Sequence, residues 1–282
     1  MIFLIVPLHN DQARLKKFVA CLNQQTVKPF VLFVDNGTKD CQNCVVKEYS
    51  GSYRCLPITS RSYSRNYWTG CLKTAQEWVL KNADNDDTVG VMNNDVTFAS
   101  SYFDIVERYS CRDVILSSLI VNAETGEEVQ KGVMFLWGEI FSRGWGAIPT
   151  LSTFVHSNIE ALRDCGLFLK VSDFRKIKFH PYLLPHYCGD YAWTNKLISG
   201  GMKVYVPNIL KLNMDFTTTG ITNPKTIREL FSITCPHNPI FYTFFILMRC
   251  PWKYKIPNIV RVWGYAAVRI ARMFKTKKGH RP

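Results

Sequence analysis

The first 35 residues constrain this chain more than any other stretch. Ile2 to Val6 is a continuous apolar run bounded by Pro7, the pattern of a strand buried on both faces. Asp11 can cap the segment that follows, in which Leu15, Phe18, Val19 and Leu22 recur at helical spacing. Phe30 to Val34 is a second apolar run, closed by Asp35-Asn36-Gly37. Strand, helix and parallel-type strand in that order form a βαβ unit, so the pattern predicts an α/β fold from its first turn. Further on, Tyr53 to Ile58 reads as a strand, Ser64 to Lys81 as a helix, and Thr88 to Met92 as the next strand. Val114 to Val121 and Val129 to Trp137 flank Glu124-Thr125-Gly126-Glu127 and predict a hairpin. A helix is expected from Ser157 to Cys165, ended by Gly166, and another with Asp190 at its cap, ended by Gly200-Gly201. Val204 to Val206 predicts a last short strand.

A length of 282 residues suits one large α/β domain with an appendage, expected at 1–215 and 216–282. The charge is unevenly placed. Ten of the 35 Lys and Arg residues lie between Arg249 and Pro282, which holds no Asp or Glu, leaving 25 basic against 22 acidic residues elsewhere. Pro239 to Met248 is strongly apolar but too short to cross a bilayer. From Ile259 onward, Ile259, Val262, Trp263, Ala266, Ala267, Ile270, Met273 and Phe274 fall on one helical face, opposite Arg261, Tyr265, Arg269 and Arg272. This is the composition of an interfacial helix on an anionic membrane surface. It is also that of an amphipathic helix packed on the domain. Nucleic acid is disfavoured as a partner, because the basic residues are confined to the tail and no binding motif is visible.

Ten cysteines in a chain that opens without a basic, cleavable leader read as free thiols in a cytoplasmic protein. The one CxxC, Cys41-Gln-Asn-Cys44, has no second pair at finger spacing and is taken to follow a turn instead of opening a helix, which argues against zinc and redox roles.

The chemistry gathers at strand ends. Val91-Met92-Asn93-Asn94-Asp95-Val96 runs from apolar residues onto two amides and a carboxylate, placing hard oxygen donors where α/β proteins bind ligands. A carboxylate there suits Mg²⁺ or Mn²⁺, which keeps part of its coordination for substrate phosphates. An Asx-rich turn would look the same. Pro7-Leu8-His9-Asn10 and Asp35-Asn36-Gly37-Thr38-Lys39-Asp40 point to the same rim, so a nucleotide could give its base to Asp35 and its diphosphate to a metal on Asp95. Neither a dinucleotide fingerprint nor a P-loop occurs, and the metal must do the work of a glycine cradle.

On these segments the chain resembles the family-2 glycosyltransferases of the GT-A fold. Leu184-Pro185-His186-Tyr187-Cys188-Gly189-Asp190-Tyr191, followed by Lys196-Leu197-Ile198-Ser199-Gly200-Gly201, is similar to the segment carrying that family's catalytic Asp. The resemblance implies a nucleotide-sugar donor, inversion at the anomeric carbon, and Asp190 as the base that takes the acceptor hydroxyl's proton. It places Pro7, Leu8, His9, Asn10, Asp35, Asn93 and Asn94 around the donor, with Arg65-Asn66 helping to hold it. Two residues depart from the pattern: Trp68 stands where a small residue is common, and Gly189 where many relatives carry an acid. The Gln-x-x-Arg-Trp motif of processive synthases is missing, so one sugar per encounter is expected. Trp145, His156 and His186 are acceptor-side candidates. The resulting expectation is transfer of a hexose or deoxyhexose from a UDP- or dTDP-sugar to a lipid-linked glycan of bacterial surface polysaccharide, by a protein resting on the inner face of the membrane. A nucleotidyltransferase is the first rival, although it would carry a Gly-rich basic loop after the first strand. A non-catalytic glycan-binding module is the second.

Overall fold

A computed structural model describes residues 1–8, 11–35, 41–58, 67–129, 131–136, 139–144, 159–216 and 221–278. The chain runs β1 (Ile2–Leu8), α1 (Gln12–Asn23), β2 (Phe30–Asp35), α2 (Cys41–Val46), β3 (Tyr53–Pro57), α3 (Trp68–Asn82), β4 (Thr88–Val91), β5 (Val96–Thr97), α4 (Tyr102–Tyr109), β6 (Val114–Ser117), β7 (Leu119–Asn122), β8 (Lys131–Leu136) and β9 (Glu139–Gly144). It continues through β10 (Leu167–Lys170), α5 (Val171–Phe174), α6 (Gly189–Ser199), β11 (Lys203–Tyr205), β12 (Lys211–Met214), α7 (Ile227–Leu230), α8 (Pro239–Arg249) and α9 (Trp252–Lys278).

A seven-stranded sheet in the order β11-β6-β10-β4-β1-β2-β3 forms the centre. Every residue of β1 is buried, and its side chains alternate between two cores. Ile2, Leu4, Val6 and Leu8 pack with Leu15, Phe18 and Phe103 on one face of the sheet, whereas Phe3 and Ile5 pack with Leu72, Ala75 and Val79 of α3 on the other. Burial on both faces is why β1 reads as an unbroken apolar run. Each such side chain contributes on the order of 1.5–3 kcal/mol, which fixes the strand's place at the middle of the sheet. Asp11 caps α1 as the sequence predicts, accepting the Arg14 N–H at 3.0 Å.

β10 is the exception that shapes the site. It runs antiparallel to β4 and β6, with Leu167 opposite Val91 and Ser117. The residues preceding β10 therefore lie at the same rim as the carboxyl ends of β1, β2 and β4.

The structure corrects four sequence expectations. The hairpin is cut short: Val129 N–H does reach Ile120 O at 2.8 Å around the turn, but β8 then pairs with β9. The run from Val114 splits at Ser118, whose N–H bonds Gly166 O at 2.9 Å, so β6 stays in the main sheet and β7 joins β5 and β12 in a three-stranded sheet. The helix expected over 157–165 is not there among its described residues. Ala161 instead exchanges backbone bonds with Val133, and Asn195 Nδ2 donates to Glu160 O at 2.8 Å, so tertiary partners take the groups a helix would have used. Gly166 ends no helix; at φ 72° it turns the chain into β10. Cys41 opens α2, contrary to the reading of that CxxC as post-turn.

α9 also differs. The sequence placed Trp263, Ala267 and Phe274 with Val262 and Ala266, but the helix presents two apolar faces. Asn258 and Ala266 are buried and Val262 and Met273 half-buried, whereas Trp252, Ile256, Val260 and Phe274 are 81, 70, 65 and 58 % exposed. With 3.6 residues per turn, Trp252, Ile256, Val260, Trp263, Ala267 and Phe274 share an arc of about 80°. No helix among the described residues is long and apolar enough to cross a membrane.

Candidate active site

The parallel register of β1 with β2 sets Leu8 beside Asp35, and Asp35 lies beside Pro57 of β3. Pro7 and Leu8 are buried, so a ligand at this rim would meet their main chain. Asp35 is half-buried at the last position of β2, and its carbonyl accepts the Ile58 N–H at 3.2 Å. β4 delivers Asn93, Asn94 and Asp95 to the same rim, all half-buried. His9, Asn10, Arg65, Asn66, Trp145 and His156 lie outside the described residues.

Asp95 contributes one of three buried side-chain atoms left unsatisfied at this rim. Its Oδ1 and the Oδ1 of Asn93 are buried atoms with no hydrogen bond among the described residues, and so is Nδ2 of Asn94. Buried polar atoms left in this state cost about 1–3 kcal/mol each, and a ligand that satisfies them recovers it. Two hard oxygens match what Mg²⁺ or Mn²⁺ takes from a protein when a substrate supplies the rest, and an amide N–H suits a phosphate oxygen. No cluster of three His, Cys, Asp or Glu occurs among the described residues, so these alone do not complete a cage. Burial pushes the Asp95 carboxyl up to about 6; its own backbone N–H and Arg14 oppose this, whereas Asp215 and Asp11 reinforce it. Asp215 is tied to Asp95 through the backbone, its N–H bonding Asp95 O at 3.0 Å, and its carboxylate pairs with Arg14 Nη2 at 2.8 Å.

Asp190 is not the cap of α6. Cys188 takes that position in the left-handed conformation at φ 63°, and Asp190 is the second helical residue, its Oδ1 accepting the Tyr191 N–H at 2.8 Å. The entry to the helix is clamped by Thr69 of α3, whose hydroxyl donates to Leu184 O at 2.6 Å and whose N–H bonds Pro185 O at 3.0 Å. This clamp accounts for Gly189: a Cβ there would stand 2.3 Å from Thr69 Oγ1, so any larger residue must displace the clamp.

A second carboxylate arrives from elsewhere. Asp164, two residues before the turn at Gly166, is buried and feels the Asp190 charge. Its Oδ2 accepts the indole N–H groups of Trp68 at 2.8 Å and Trp193 at 3.3 Å, which gives the unusual Trp68 a purpose. Burial raises both carboxyls, Asp164 further because it also faces the Asp190 charge, so the pair holds one proton when Asp190 is ionised. Arg163 stabilises the ionised Asp190 and its Nε bonds the Tyr191 hydroxyl at 3.3 Å. Thr194 staples the segment to α6: its buried hydroxyl accepts the Leu162 N–H at 2.9 Å and lies 2.8 Å from Asp190 O. Cys165 joins the two ends of the site, because it feels the charges of both Asp95 and Asp164 and is hydrogen-bonded to the Asn93 backbone. His186 sits in the loop before α6 between Tyr67 and Tyr187, at ring separations of 6.1 and 4.5 Å.

Sequence reasoning missed Asp164, Arg163 and Tyr242, the last an α8 residue whose hydroxyl feels the Asp190 charge. The signal available for Asp164 was the glycine two residues later, standing directly before the apolar run of β10.

No family model and no curated protein matches the sequence. Solved structures do match in fold. S. aureus TarS 1-349 superposes with a TM-score of 0.58 at 12 % identity, covering 95 % of this chain and 73 % of that one, and its complex with UDP-GlcNAc gives 0.59. GalNAc-T7 with UDP, GalNAc and Mn²⁺ gives 0.57 at 10 % identity over 86 % of this chain and 47 % of that one. Mannosyltransferase PcManGT from Pyrobaculum calidifontis with GDP-Man and Mn²⁺ gives 0.50 at 14 % identity over 99 % of this chain and 79 % of that one. Together with the mixed seven-stranded sheet and its flanking helices, these likenesses show that the chain has the GT-A glycosyltransferase fold with a C-terminal helical region.

Proposed function

We propose that this protein is an inverting, non-processive glycosyltransferase that moves one sugar from a UDP- or dTDP-linked donor to an acceptor glycan, with Asp190 as the base. The observation that carries the reading is the pairing of Asp190 with a buried, indole-held Asp164 at the rim where Asn93 and Asp95 offer unsatisfied oxygens. An in-line displacement needs a carboxylate within reach of the attacking hydroxyl, and Asp190 supplies it. Asp95 and Asn93 would hold a divalent cation, which when bound supplies positive charge for the departing diphosphate. Asp35 would take the base, the main chain at Pro7 and Leu8 would line its seat, and Asn94 would bond a phosphate. His9, Asn10, Arg65 and Asn66 belong to the same donor assignment, and Trp145 and His186 to the acceptor side. Mn²⁺ and nucleotide sugars in the structures of fold neighbours support the donor and metal classes.

Residues 216–282 serve in this reading as a helical platform. The exposed apolar arc of α9 runs beside its basic residues, the chemistry of a helix lying on an anionic leaflet. A lipid-linked acceptor and a peripheral position on the inner membrane face follow from it.

The test is hydrolysis of nucleotide sugars by the purified chain with Mn²⁺. Release of nucleoside diphosphate that vanishes in Asp190→Ala supports the transferase. Release of pyrophosphate would replace it with a nucleotidyltransferase, and silence with every donor would leave a glycan-binding module.

A further inference from the structure

A cavity of about 340 Å³ opens between α8 and α9, at the lower end of the volumes that hold small molecules. Most of its lining is apolar. Val262 and Ala266, one turn apart on α9 and half-buried and buried, face it together with Tyr242 of α8. The polar side chains around them are already engaged or stand toward solvent. Arg261 and Tyr265 are exposed and held to each other, the guanidinium 5.3 Å over the ring and Nη2 donating to the hydroxyl at 3.0 Å. Asn258 spends its amide N–H groups on Leu136 O and Tyr254 O, both at 2.8 Å. His237, from the loop before α8, is held toward its neutral form, first by burial and then by Arg269, which also borders the cavity. What a guest meets inside is therefore carbon.

An apolar interior with polar groups at its edge suits an amphiphile, its chain inside and its head outside. Each methylene taken out of water there tightens binding about threefold to fourfold. Tyr242 indicates which amphiphile. It borders the cavity, and its hydroxyl also feels the charges of Tyr191, Asp190 and Arg163. The same face of α8 packs on α6 through Phe245, whose ring lies 6.0 Å from that of Tyr191. A guest of the cavity thus lies across one tyrosine from the surroundings of Asp190.

We propose that the cavity between α8 and α9 is the subsite for the apolar aglycone of the glycosyl acceptor, an alkyl or isoprenoid chain that carries the sugar. That the guest is the acceptor rests on the proposed transferase function; that the cavity takes such a chain does not.

Calorimetric titration of the full chain with n-alkyl β-glucosides from methyl to octyl, below their micelle concentrations, tests the assignment. Affinity should rise about threefold per methylene until the cavity is full, and Val262→Phe, which fills it, should flatten that rise. Val262→Ala, which enlarges the cavity, should carry the rise to longer chains, so the test does not depend on the filled variant folding. Trp252→Ser combined with Ile256→Ser, on the exposed arc of α9, should leave the rise intact. Affinity independent of chain length, or a rise that survives Val262→Phe in a folded chain, overturns the proposal. Loss of the rise in the exposed-arc variant also overturns it and assigns the binding to the outer face. Donor hydrolysis separates the two assignments. Saturating octyl glucoside should change the rate of nucleoside diphosphate release, by accepting the sugar or by displacing water from Asp190, and an unchanged rate would remove the acceptor from the cavity. A native chain that binds the glucosides in this pattern but hydrolyses no donor would remove the transferase while leaving the alkyl site intact.

Discussion

Asp95 and Asp190 reach one rim from different layers of the fold, and burial lifts both above the ordinary carboxylate range, yet their surroundings differ in kind. Asp95 has two acidic neighbours, Asp11 and Asp215, around a single arginine, and its free oxygen is matched by another on Asn93. More positive charge would complete it. Asp190 has a carboxyl partner that two indoles hold in place, and an arginine that favours its ionised form. In the proposed function this site exchanges a proton, with Asp190 as the base. In the proposed function the same desolvation would serve metal capture at one end and base chemistry at the other, with the neighbours deciding which.

The most severe way to break this comparison is Asp190→Asn. Turnover should fall about 10³-fold, the scale of a lost general base, while Mn²⁺ affinity measured by calorimetry stays native. A matching loss of Mn²⁺ binding would mean that the two carboxylates are not separate devices. Asp95→Asn should do the reverse, removing chelator-sensitive turnover by about 10²-fold and abolishing Mn²⁺ binding, and unchanged turnover would strip Asp95 of its metal role.

Protonation sharpens the contrast. Because the Asp95 carboxyl must ionise to hold a cation, Mn²⁺ affinity should drop about tenfold for each pH unit below its value of about 6. Without metal, the native chain holds this proton more tightly than the unfolded chain does. Stability should therefore decline as pH rises from about 4, the unfolded value, to about 6, and this slope should disappear in Asp95→Asn when urea midpoints are compared.

Gly189→Ala should cost about 1–3 kcal/mol in urea unfolding, since the added methyl displaces the Thr69 hydroxyl that clamps the entry to α6. Native stability in that variant would discard the steric account of the missing acid. The smallest effect is expected of Asp164→Asn, which keeps an oxygen for Trp68 and Trp193 and removes only a group that is neutral when Asp190 is ionised. Turnover should stay within about tenfold of native with the acid limb unmoved. A loss as large as that of Asp190→Asn would move the base role onto the pair.

Much of this architecture was legible before any coordinates. The unbroken apolar run of β1, the helical spacing of Leu15, Phe18, Val19 and Leu22, and the oxygen-bearing end of β4 each follow from burial pattern within a few residues. The segment before β10 was not legible. Glu160 to Cys165 is compatible with a helix, but partners such as Val133, Thr194 and Asn195, all at least 27 positions away, hold it extended. α9 was half legible: its period marked a helix, but which apolar arc meets the domain depends on α8.

The sequence by itself determined that this chain builds a buried, largely parallel sheet and sets Asp35 and Asn93-Asn94-Asp95 at strand ends, because side-chain periodicity and strand punctuation are local properties. Only the tertiary structure decided that Asp164 stands beside Asp190, that Thr69 crowds any side chain at Gly189, and that two arginines of α9 share a cavity with Tyr242. Those are pairings between separate elements, one of them set by a strand that runs against its neighbours, and no local pattern of hydrophobicity encodes them.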